Sequence, residues 1–437
     1  MAPIKLSVQN DFKIDDRFGK YPADWVLHRM GDLGDFYGGA TPSTQQPSYW
    51  NGSINWLVPS DISTLPEEQK YIYDTGDKIT EAGLAACSAV LLPAGTVTMS
   101  SRATLGDCVI LGKEMCTNQG FISCKCNEHI INEYLLYWIR QYKNYISRYA
   151  AGTTFLEIGR RQFKKLRIAI PEPEEQALIV GALAEIDRAI EVTRKAIDQA
   201  GLVKKALMQH LLSGRLKPDG TWRTPDEFYV DEKFGKVPKG WNVKTSNDIF
   251  FINKDTLSAK TPDDYEFNYI TIEAVSTEEI QWEAITRCVF KDAPSRARRV
   301  LSSGDILLST VRPILKSFAI FYAPNEEKWI CSTGFSVFTP KPNQDRDFYF
   351  YQILGEIGEK QFYSYVAGTN YPAVNDRDMR KLRLLEAPYP EQREISKILS
   401  QISQSIIMKK NKIKVLQTLR KSLMQNLLTG KIRVQVG

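Results

Sequence analysis

Two clusters of basic side chains each follow a short loop of glycine, threonine and other polar residues. The first lies in AGTTFLEIGRRQFKKLR (residues 151–167), where five basic residues accompany a single acid. The second lies in AGTNYPAVNDRDMRKLR (residues 367–383). Hydroxyl, amide and guanidinium groups are the side chains that contact phosphates and base edges in DNA. The two segments therefore predict two surfaces that bind DNA.

The candidate DNA-binding residues come from these clusters and from further polar and basic stretches in each half. A single charged run is as often a merely solvated face, but two clusters at equivalent positions favour a shared use. The stretch around Arg298 has no counterpart in the first half. The candidates are Ser101, Arg102, Thr153, Thr154, Arg160, Arg161, Lys164, Lys165, Arg296, Arg298, Arg299, Arg312, Thr369, Asn370, Tyr371, Arg377, Arg380 and Lys381.

The familiar catalytic and metal-binding patterns are missing from the sequence. GDCVILGK (106–113) has its glycines one residue too far apart for a phosphate loop, and Glu114 stands where that loop needs Ser or Thr. A zinc site could be drawn only from Cys116, Cys124, Cys126 and His129. Their spacing fits no common zinc pattern, and the second half does not repeat it. These absences predict a protein that binds and positions rather than one that catalyses.

Length and composition bound the class of protein. The chain of 437 residues is long enough for two to four domains. It contains no apolar run long enough to span a membrane, and its N-terminus lacks an apolar signal core. Seven cysteines without a CxxC pair suit reduced thiols, so we expect a cytoplasmic protein. A net charge of +6 is compatible with DNA binding but does not require it.

The elements that must position the basic clusters are duplicated. LMQHLLSGRL (207–216) and LMQNLLTGKI (423–432) lie 216 residues apart, and FGKYPADW (18–25) returns at the same offset as FGKVPKGW (234–241). The two copies run over about residues 11–216 and 227–432. The segments 34–148 and 250–364 match only weakly. This pattern predicts two domains related by pseudo-two-fold symmetry, each with a variable part and a well-matched part.

The well-matched part of each copy has the heptad pattern of a long helix. Apolar residues alternate at spacings of four and three, with polar residues at equivalent places in both copies (Thr193 and Lys204, Lys409 and Arg420). The seam is Ile179, Leu183, Ile186, Ile190, Ile197, Leu207 and Leu211 in the first copy, and Ile395, Leu399, Ile402, Ile406, Ile413, Leu416, Leu423 and Leu427 in the second.

The helix ends are marked by proline and glycine. Pro173 and Pro390 stand at the start, and Gly214 and Gly430 at the exit. A helix of about 40 residues is roughly 60 Å long, and one such seam cannot stay in water. We therefore expect the two helices to bury each other as an antiparallel coiled coil, with one variable domain at each end. The alternative is an ordinary pair of core helices inside one domain.

The variable parts predict an α+β fold. Strand-like runs include AVLLP (89–93), TVTM (96–99), CVIL (108–111) and FISCKC (121–126), and the second half has similar runs. Helical patches appear at 131–142 and 348–358. The expected organisation is a first recognition domain (11–170), a spacer helix (171–216), a linker (217–233), a second recognition domain (234–386) and a second spacer helix (387–432).

The chain resembles the specificity subunits of type I restriction-modification systems. The resemblance rests on PEPEEQALIVGALAEID (171–187) followed by LMQHLLSGRL, and on GGATPSTQQPSYWNGSINWLVPSDI (38–62), which carries Trp56 and Asp61. It covers essentially the whole chain. The second copy departs from it, because it has EAPYPEQ (386–392) and lacks the Trp-x-x-Pro-x-Asp pattern.

The resemblance implies a non-catalytic subunit. Two target-recognition domains would each read half of a split, asymmetric DNA target, and the helices would hold them apart. The chain would dock two methyltransferase subunits, which use S-adenosylmethionine to methylate adenine. A motor-nuclease subunit using ATP and magnesium could join them. The chain itself would hold no cofactor or metal.

Two rival functions remain open on the sequence alone. One is a DNA-modifying enzyme in its own right, against which stand the missing cofactor and catalytic motifs. The other is a coiled-coil adaptor that never touches DNA, against which stand the paired basic clusters. Sequence preference in DNA binding would separate the adaptor from the specificity subunit.

Overall fold

The fold was obtained as a computed structural model that describes residues 4–102, 104–151, 156–366 and 373–436. It divides into two compact units, one formed by residues 1–195 and 409–437 and the other by residues 196–408. Each unit is therefore built from both copies of the sequence repeat.

The N-terminal half of the chain, up to the end of the first long helix, contains thirteen strands and six helices. The strands are β1 (Ile4–Val8), β2 (Phe12–Asp15), β3 (Gly19–Pro22), β4 (Val26–Arg29), β5 (Gly34–Gly38), β6 (Trp50–Leu57), β7 (Tyr71–Ile72), β8 (Asp77–Ile79), β9 (Val97–Ser100), β10 (Cys108–Leu111), β11 (Cys116–Thr117), β12 (Phe121–Cys126) and β13 (Arg167–Ile170). The helices are α1 (Pro59–Ser63), α2 (Glu81–Ala85), α3 (Asn132–Gln141), α4 (Lys143–Ser147), α5 (Arg160–Phe163) and α6 (Pro173–Leu211). These counts refer to the described residues.

In its described residues, the second half of the chain contains fifteen strands and five helices, and like the first it ends its recognition part with short helices, one strand and a long helix. Its strands are β14 (Phe228–Asp231), β15 (Gly235–Pro238), β16 (Asn242–Thr245), β17 (Phe250–Ile252), β18 (Glu266–Ile270), β19 (Val275–Ser276), β20 (Glu279–Ile280), β21 (Thr286–Val289), β22 (Ala297–Val300), β23 (Ile306–Ser309), β24 (Phe318–Ile320), β25 (Trp329–Ser332), β26 (Phe335–Pro340), β27 (Arg383–Glu386) and β28 (Ile432–Val436). Its helices are α7 (Ser246–Ile249), α8 (Arg346–Leu354), α9 (Glu356–Val366), α10 (Asp376–Arg380) and α11 (Tyr389–Leu427).

The two variable parts share one sheet topology. In the first unit a five-stranded sheet has the order β5-β12-β9-β10-β7, and in the second a four-stranded sheet has the order β17-β26-β23-β24. A second sheet in each contains one parallel pair, β6 with β11 and β18 with β25. The predicted α+β fold and the duplication are confirmed, although the sequences of these parts have diverged.

One predicted strand is wrong. The run AVLLP at 89–93 forms a single bridge, between Leu92 and Met115, and no strand. Pro93 has no N–H with which to continue a ladder, and the chain turns at Gly95, whose φ is 87°. Strands at 97–100, 108–111 and 121–126 are confirmed.

The long helices α6 and α11 pack antiparallel within each unit. In the first unit, Ile179 and Leu183 near the start of α6 share a hydrophobic core with Leu427 near the end of α11. In the second unit, Leu211 at the end of α6 shares a core with Ile395 near the start of α11. Every predicted seam residue is buried or half-buried.

The end of each long helix packs on the FGKxPxxW segment. A Cβ on Gly214 would lie 2.2 Å from Pro238, and a Cβ on Gly430 would lie 2.2 Å from Pro22. Pro238 follows Gly214 closely in sequence, whereas Pro22 lies at the other end of the chain from Gly430. The backbone closes this second junction by pairing β1 with β28 in antiparallel register.

Strand pairing occurs close to the expected domain boundaries at these junctions. The boundary expected at 233/234 falls inside the hairpin β14–β15, and Leu216 bridges Trp222 within the expected linker. Residues 4–8, left outside both copies, form β1. Strand pairing between distant parts of a chain leaves no periodic signal in either part, so the repeat boundaries missed it.

Alanine at Gly214 or Gly430 is expected to destabilise the unit that contains it by about 1–3 kcal/mol or more. Both residues have a left-handed backbone, with φ of 67° and 65°, and both lack room for a Cβ. Gly201→Ala is the matched control, because its Cβ would meet nothing and the substitution favours helix by about 0.5–1 kcal/mol. Thermal unfolding should show lower midpoints for the first two variants and a midpoint at or above wild type for the third.

Candidate nucleic-acid interface

The first basic cluster lies on α5 and the turn after it. Ile158, Phe163 and Leu166 are buried, and this spacing turns the residues between them outward. Arg160, Arg161, Lys164 and Lys165 are exposed as a result. Among the described residues, no carboxylate lies within ion-pair distance of these four cations. The cluster is therefore a surface of uncompensated positive charge, which suits phosphates.

Beside α5, a cavity of about 390 Å³ is lined by residues near positions 38, 88, 101, 120 and 158. The Ser101 N–H donates to the Gly120 carbonyl at 2.8 Å, and the Ile158 N–H donates to the Ser101 carbonyl at 3.0 Å. The Ser100 hydroxyl donates to the Arg102 carbonyl at 2.7 Å. We call this arrangement the loop cage. It joins segments more than 50 residues apart in sequence into one concave surface.

Gly39 packs closely against the backbone of a neighbouring loop in the loop cage. A Cβ there would lie 2.1 Å from the carbonyl oxygens of Thr117 and Asn118. The Ala40 N–H donates to the Thr117 carbonyl at 3.0 Å, which holds the two loops together. Only glycine fits at this contact, so the wall of the cavity is fixed by backbone rather than by side chains.

The second unit contains the same loop cage at equivalent residues. The Thr310 N–H donates to the Gly334 carbonyl at 2.8 Å, and the Val374 N–H donates to the Thr310 carbonyl at 2.8 Å. The Ser309 hydroxyl donates to the Val311 carbonyl at 2.7 Å, as Ser100 does in the first unit. The backbone of the site is thus duplicated although most of its side chains have changed.

Several predicted DNA-binding residues make polar contacts within the fold. Ser101 is 3% exposed and its hydroxyl donates to Gly120. Arg299 is bound to Asp376 at 3.0 Å, and Arg380 donates to the Asn247 side chain and the Ile252 carbonyl. These contacts give all three side chains a place in the fold, and their role in DNA binding stays a prediction.

The remaining candidates fall into three groups. Arg102 is half-buried, and Arg298 stacks on Phe290 with its guanidinium 4.7 Å from the ring centre. Exposed candidates in the second half are Arg296, Arg312, Arg377 and Lys381. Five candidates lie outside the described residues, namely Thr153, Thr154, Thr369, Asn370 and Tyr371.

A glutamine at the start of each long helix was missed as a functional position. Gln176 is fully buried, accepts from the Ile131 N–H at 2.9 Å, and donates to the carbonyls of His129 and Pro171. Gln392 accepts from the Asp345 N–H and donates to the Ala387 carbonyl in the same way. Both glutamines belong to motifs that the two copies share, PEEQ at 173–176 and PEQ at 390–392. Each glutamine fixes the start of a helix to its recognition domain.

A buried ionic network joins the helices to the first recognition domain. The Arg420 Nε donates to Asp187 at 2.6 Å, and the Tyr137 hydroxyl donates to the other oxygen of Asp187 at 2.6 Å. Burial, and then the Asp187 charge, raises the pKa of Tyr137, so the phenol stays protonated and donates. Arg420 also donates to the Glu67 carbonyl at 3.0 Å. All three side chains of the central network are nearly inaccessible to water.

The second unit builds a counterpart with different residues. Lys204, at the position equivalent to Arg420, is bound to Glu278 and lies 5.1 Å from the ring centre of Tyr351. Tyr351 donates to Ser403, which stands where the first unit has Asp187. Each recognition domain is thus held by a cation on the long helix of the other sequence copy.

The described residues were searched for metal-binding clusters and for membrane-spanning helices. No cluster of three or more His, Cys, Asp or Glu side chains suited to a metal ion occurs in the described part of the chain. Within the same residues, no helix has the length and apolar character needed to cross a lipid bilayer.

Comparison with known proteins gives one consistent family. The sequence matches the family described as "Type I restriction modification DNA specificity domain" twice, over residues 22–200 and 238–418. It is 26% identical over 443 residues to the type I restriction enzyme MjaIX specificity subunit of Methanocaldococcus jannaschii, with 99% of each chain covered. A match of 31% over 166 residues, covering 36% of this chain and 40% of the relative, is to the EcoR124I/EcoR124II specificity subunit of Escherichia coli.

The fold is similar to a solved structure over nearly its full length. That structure is the S subunit of a type I restriction-modification system from M. genitalium. The TM-score is 0.54 at 15% identity, and the match covers 95% of this chain and 97% of the other. At that identity the likeness concerns the fold alone, and it agrees with the two recognition halves and long paired helices described above.

Proposed function

Because the chain belongs to the type I restriction-modification DNA specificity family, which it matches in both halves, we propose that it reads a bipartite, asymmetric DNA target for a restriction-modification complex. The observation that carries this proposal is the duplicated loop cage. The backbone of the site is the same in both units, so both surfaces suit the same kind of ligand. The side chains differ, so the two half-sites would differ in sequence.

The charge of the first cage favours a duplex ligand. Arg160, Arg161, Lys164 and Lys165 present four exposed cations next to a concave loop surface. Cations of this kind contact phosphates and fix register, while groups in the concave part can reach base edges. We propose that the cluster supplies affinity and that the cage supplies selectivity.

The long helices offer two equivalent docking positions. Val192 on α6 and Met408 on α11 are equivalent in the repeat, and their exposed fractions are 58% and 66%. Val203 and Leu419 form a second such pair, with exposed fractions of 52% and 46%. Exposed aliphatic groups at matched positions suit the same partner twice. We propose that two methyltransferase subunits dock there.

The division of labour follows from this assignment. The chain supplies DNA specificity, and its methyltransferase partners supply S-adenosylmethionine and the transfer of the methyl group to adenine. A motor-nuclease partner, where one is present, uses ATP and magnesium. The recognition domains and the helices of this chain only bind, orient and space the partners and the DNA.

The deciding experiment is single-molecule methylome sequencing of cells with and without this chain. We expect a split adenine-methylated motif that disappears when the chain is deleted. Gel shifts of the reconstituted complex should show the same motif, with affinity falling steeply as salt rises. Binding without any sequence preference would favour a coiled-coil adaptor. Methyl transfer by the chain alone would favour an independent enzyme.

A further inference from the structure

Two exposed side chains line the cavity of the first loop cage and are accessible to a ligand. Gln119 and Arg160 both line this cavity and are both exposed. They approach it from different segments of the chain, one before β12 and one at the start of α5. We propose that Gln119 and Arg160 are base-reading residues of the first half-site, an inference that rests on the proposed function.

Arg160 can donate two hydrogen bonds from the terminal nitrogens of its guanidinium group. Within the described residues it forms no ion pair with a carboxylate, and it passes over the backbone of Gly38, whose added Cβ would lie 3.7 Å from Arg160 Nη1. An arginine with both terminal nitrogens free donates two hydrogen bonds to the O6 and N7 atoms of guanine.

Gln119 is held in one orientation. The Thr41 hydroxyl donates to its Oε1 atom at 2.5 Å. The second lone pair of Oε1 can still accept a hydrogen bond, and the amide nitrogen can donate one. A glutamine amide contacts the N6 and N7 atoms of adenine in the major groove. Gln119 and Arg160 together therefore suit two purines of one half-site.

The second unit supports this assignment by its differences. Thr333, next to Gly334, stands where the first cage has Gln119, and Asp376, at the start of α10, stands where it has Arg160. Asp376 binds Arg299, whose side chain is 17% exposed. The same backbone thus carries an acid–base pair in place of a free arginine, so the second cage would prefer a different base.

The neighbouring residue Arg161 allows base recognition to be distinguished from phosphate binding. Arg161 is exposed and follows Arg160 directly, yet it does not line the cavity. We assign it to phosphate contacts. Substitution of Arg161 should weaken binding to all sequences alike, whereas substitution of Arg160 should change which sequence is preferred.

The test uses the full chain in complex with its two methyltransferase subunits and DNA libraries randomised in each half-site. In Arg160→Ala and Gln119→Ala we expect the preference at one position of the first half-site to fall by about 5- to 150-fold, which corresponds to the roughly 1–3 kcal/mol of one bidentate contact. The second half-site should keep its preference. Arg161→Ala should lower methylation of all sequences without altering the preferred motif.

The outcomes are separable. Unchanged preference at every position in both the Arg160 and the Gln119 variants would overturn this inference, as would a change confined to the second half-site. Arg160→Lys and Gln119→Asn, which keep polar groups at exposed positions, provide folded variants if an alanine variant does not fold; both should relax the same positions. Absence of any preferred motif in the wild-type complex would instead overturn the proposed function.

Discussion

Replacing Arg420 with methionine is expected to lower the free energy of unfolding of the first unit by about 3–5 kcal/mol. Asp187 is 4% exposed and receives its charge-compensating hydrogen bond from Arg420. Without the guanidinium, a carboxylate would remain buried with only the Tyr137 hydroxyl as a donor. The measurement is thermal or denaturant unfolding of the purified chain, followed by a signal from the first unit.

Two controls show whether the buried charge is the cause. Lys421→Met removes an exposed cation from the next position of the same helix and should change stability by no more than about 0.5 kcal/mol. The double variant Asp187→Leu with Arg420→Met removes both charges and should recover most of the loss. Equal destabilisation by the single and the double variants would show that packing, and not the unpaired charge, is responsible.

Removing one heptad from each long helix is expected to shorten the unread spacer of the target. Deleting residues 193–199 and the equivalent residues 409–415 keeps the apolar seam in phase, because seven residues make two turns. It also keeps the buried ionic residues and the exposed residues at the proposed docking positions. The helices lose about 10 Å, which is close to three base pairs of DNA. Methylome sequencing should show loss of the native motif and the same two half-sites with fewer unread pairs between them.

The heptad deletion tests the helices alone. Both loop cages are unchanged, so both half-site sequences should survive. An equally long insertion that restores seven residues to each helix is the control and should restore the native spacer. Methylation at the native spacer by the shortened protein would show that the helices do not set the distance.

The long helices were predictable because their heptad pattern is local and occurs in both copies of the repeat. The seam recurs every three or four residues, and the flanking prolines and glycines mark each end within two or three residues of the observed limits. Strands such as β9, β10 and β12 were found for a similar reason, since each is a short, buried run of apolar and small side chains.

The site was only half predictable because it is assembled from distant segments. The basic clusters could be seen as charge runs, but the cage depends on pairing among residues near 39, 101, 118 and 158. Gln119 carried no signal of its own, and its role follows only from its neighbours. The contacts of Arg299 and Arg380 could not be predicted, because their partners Asp376 and Asn247 lie far away in sequence. Asp187 was passed over for the same reason, since its partner lies on the other helix.

The pairing of β1 with β28 takes the place of a covalent connection between a long helix and its hairpin. The end of α6 reaches its hairpin through continuous backbone, whereas the end of α11 reaches the equivalent hairpin by hydrogen bonds between the first and last strands. The order of segments is therefore cyclic. A circularly permuted variant that begins between residues 217 and 223, and in which β28 is linked to β1, would keep the same junctions.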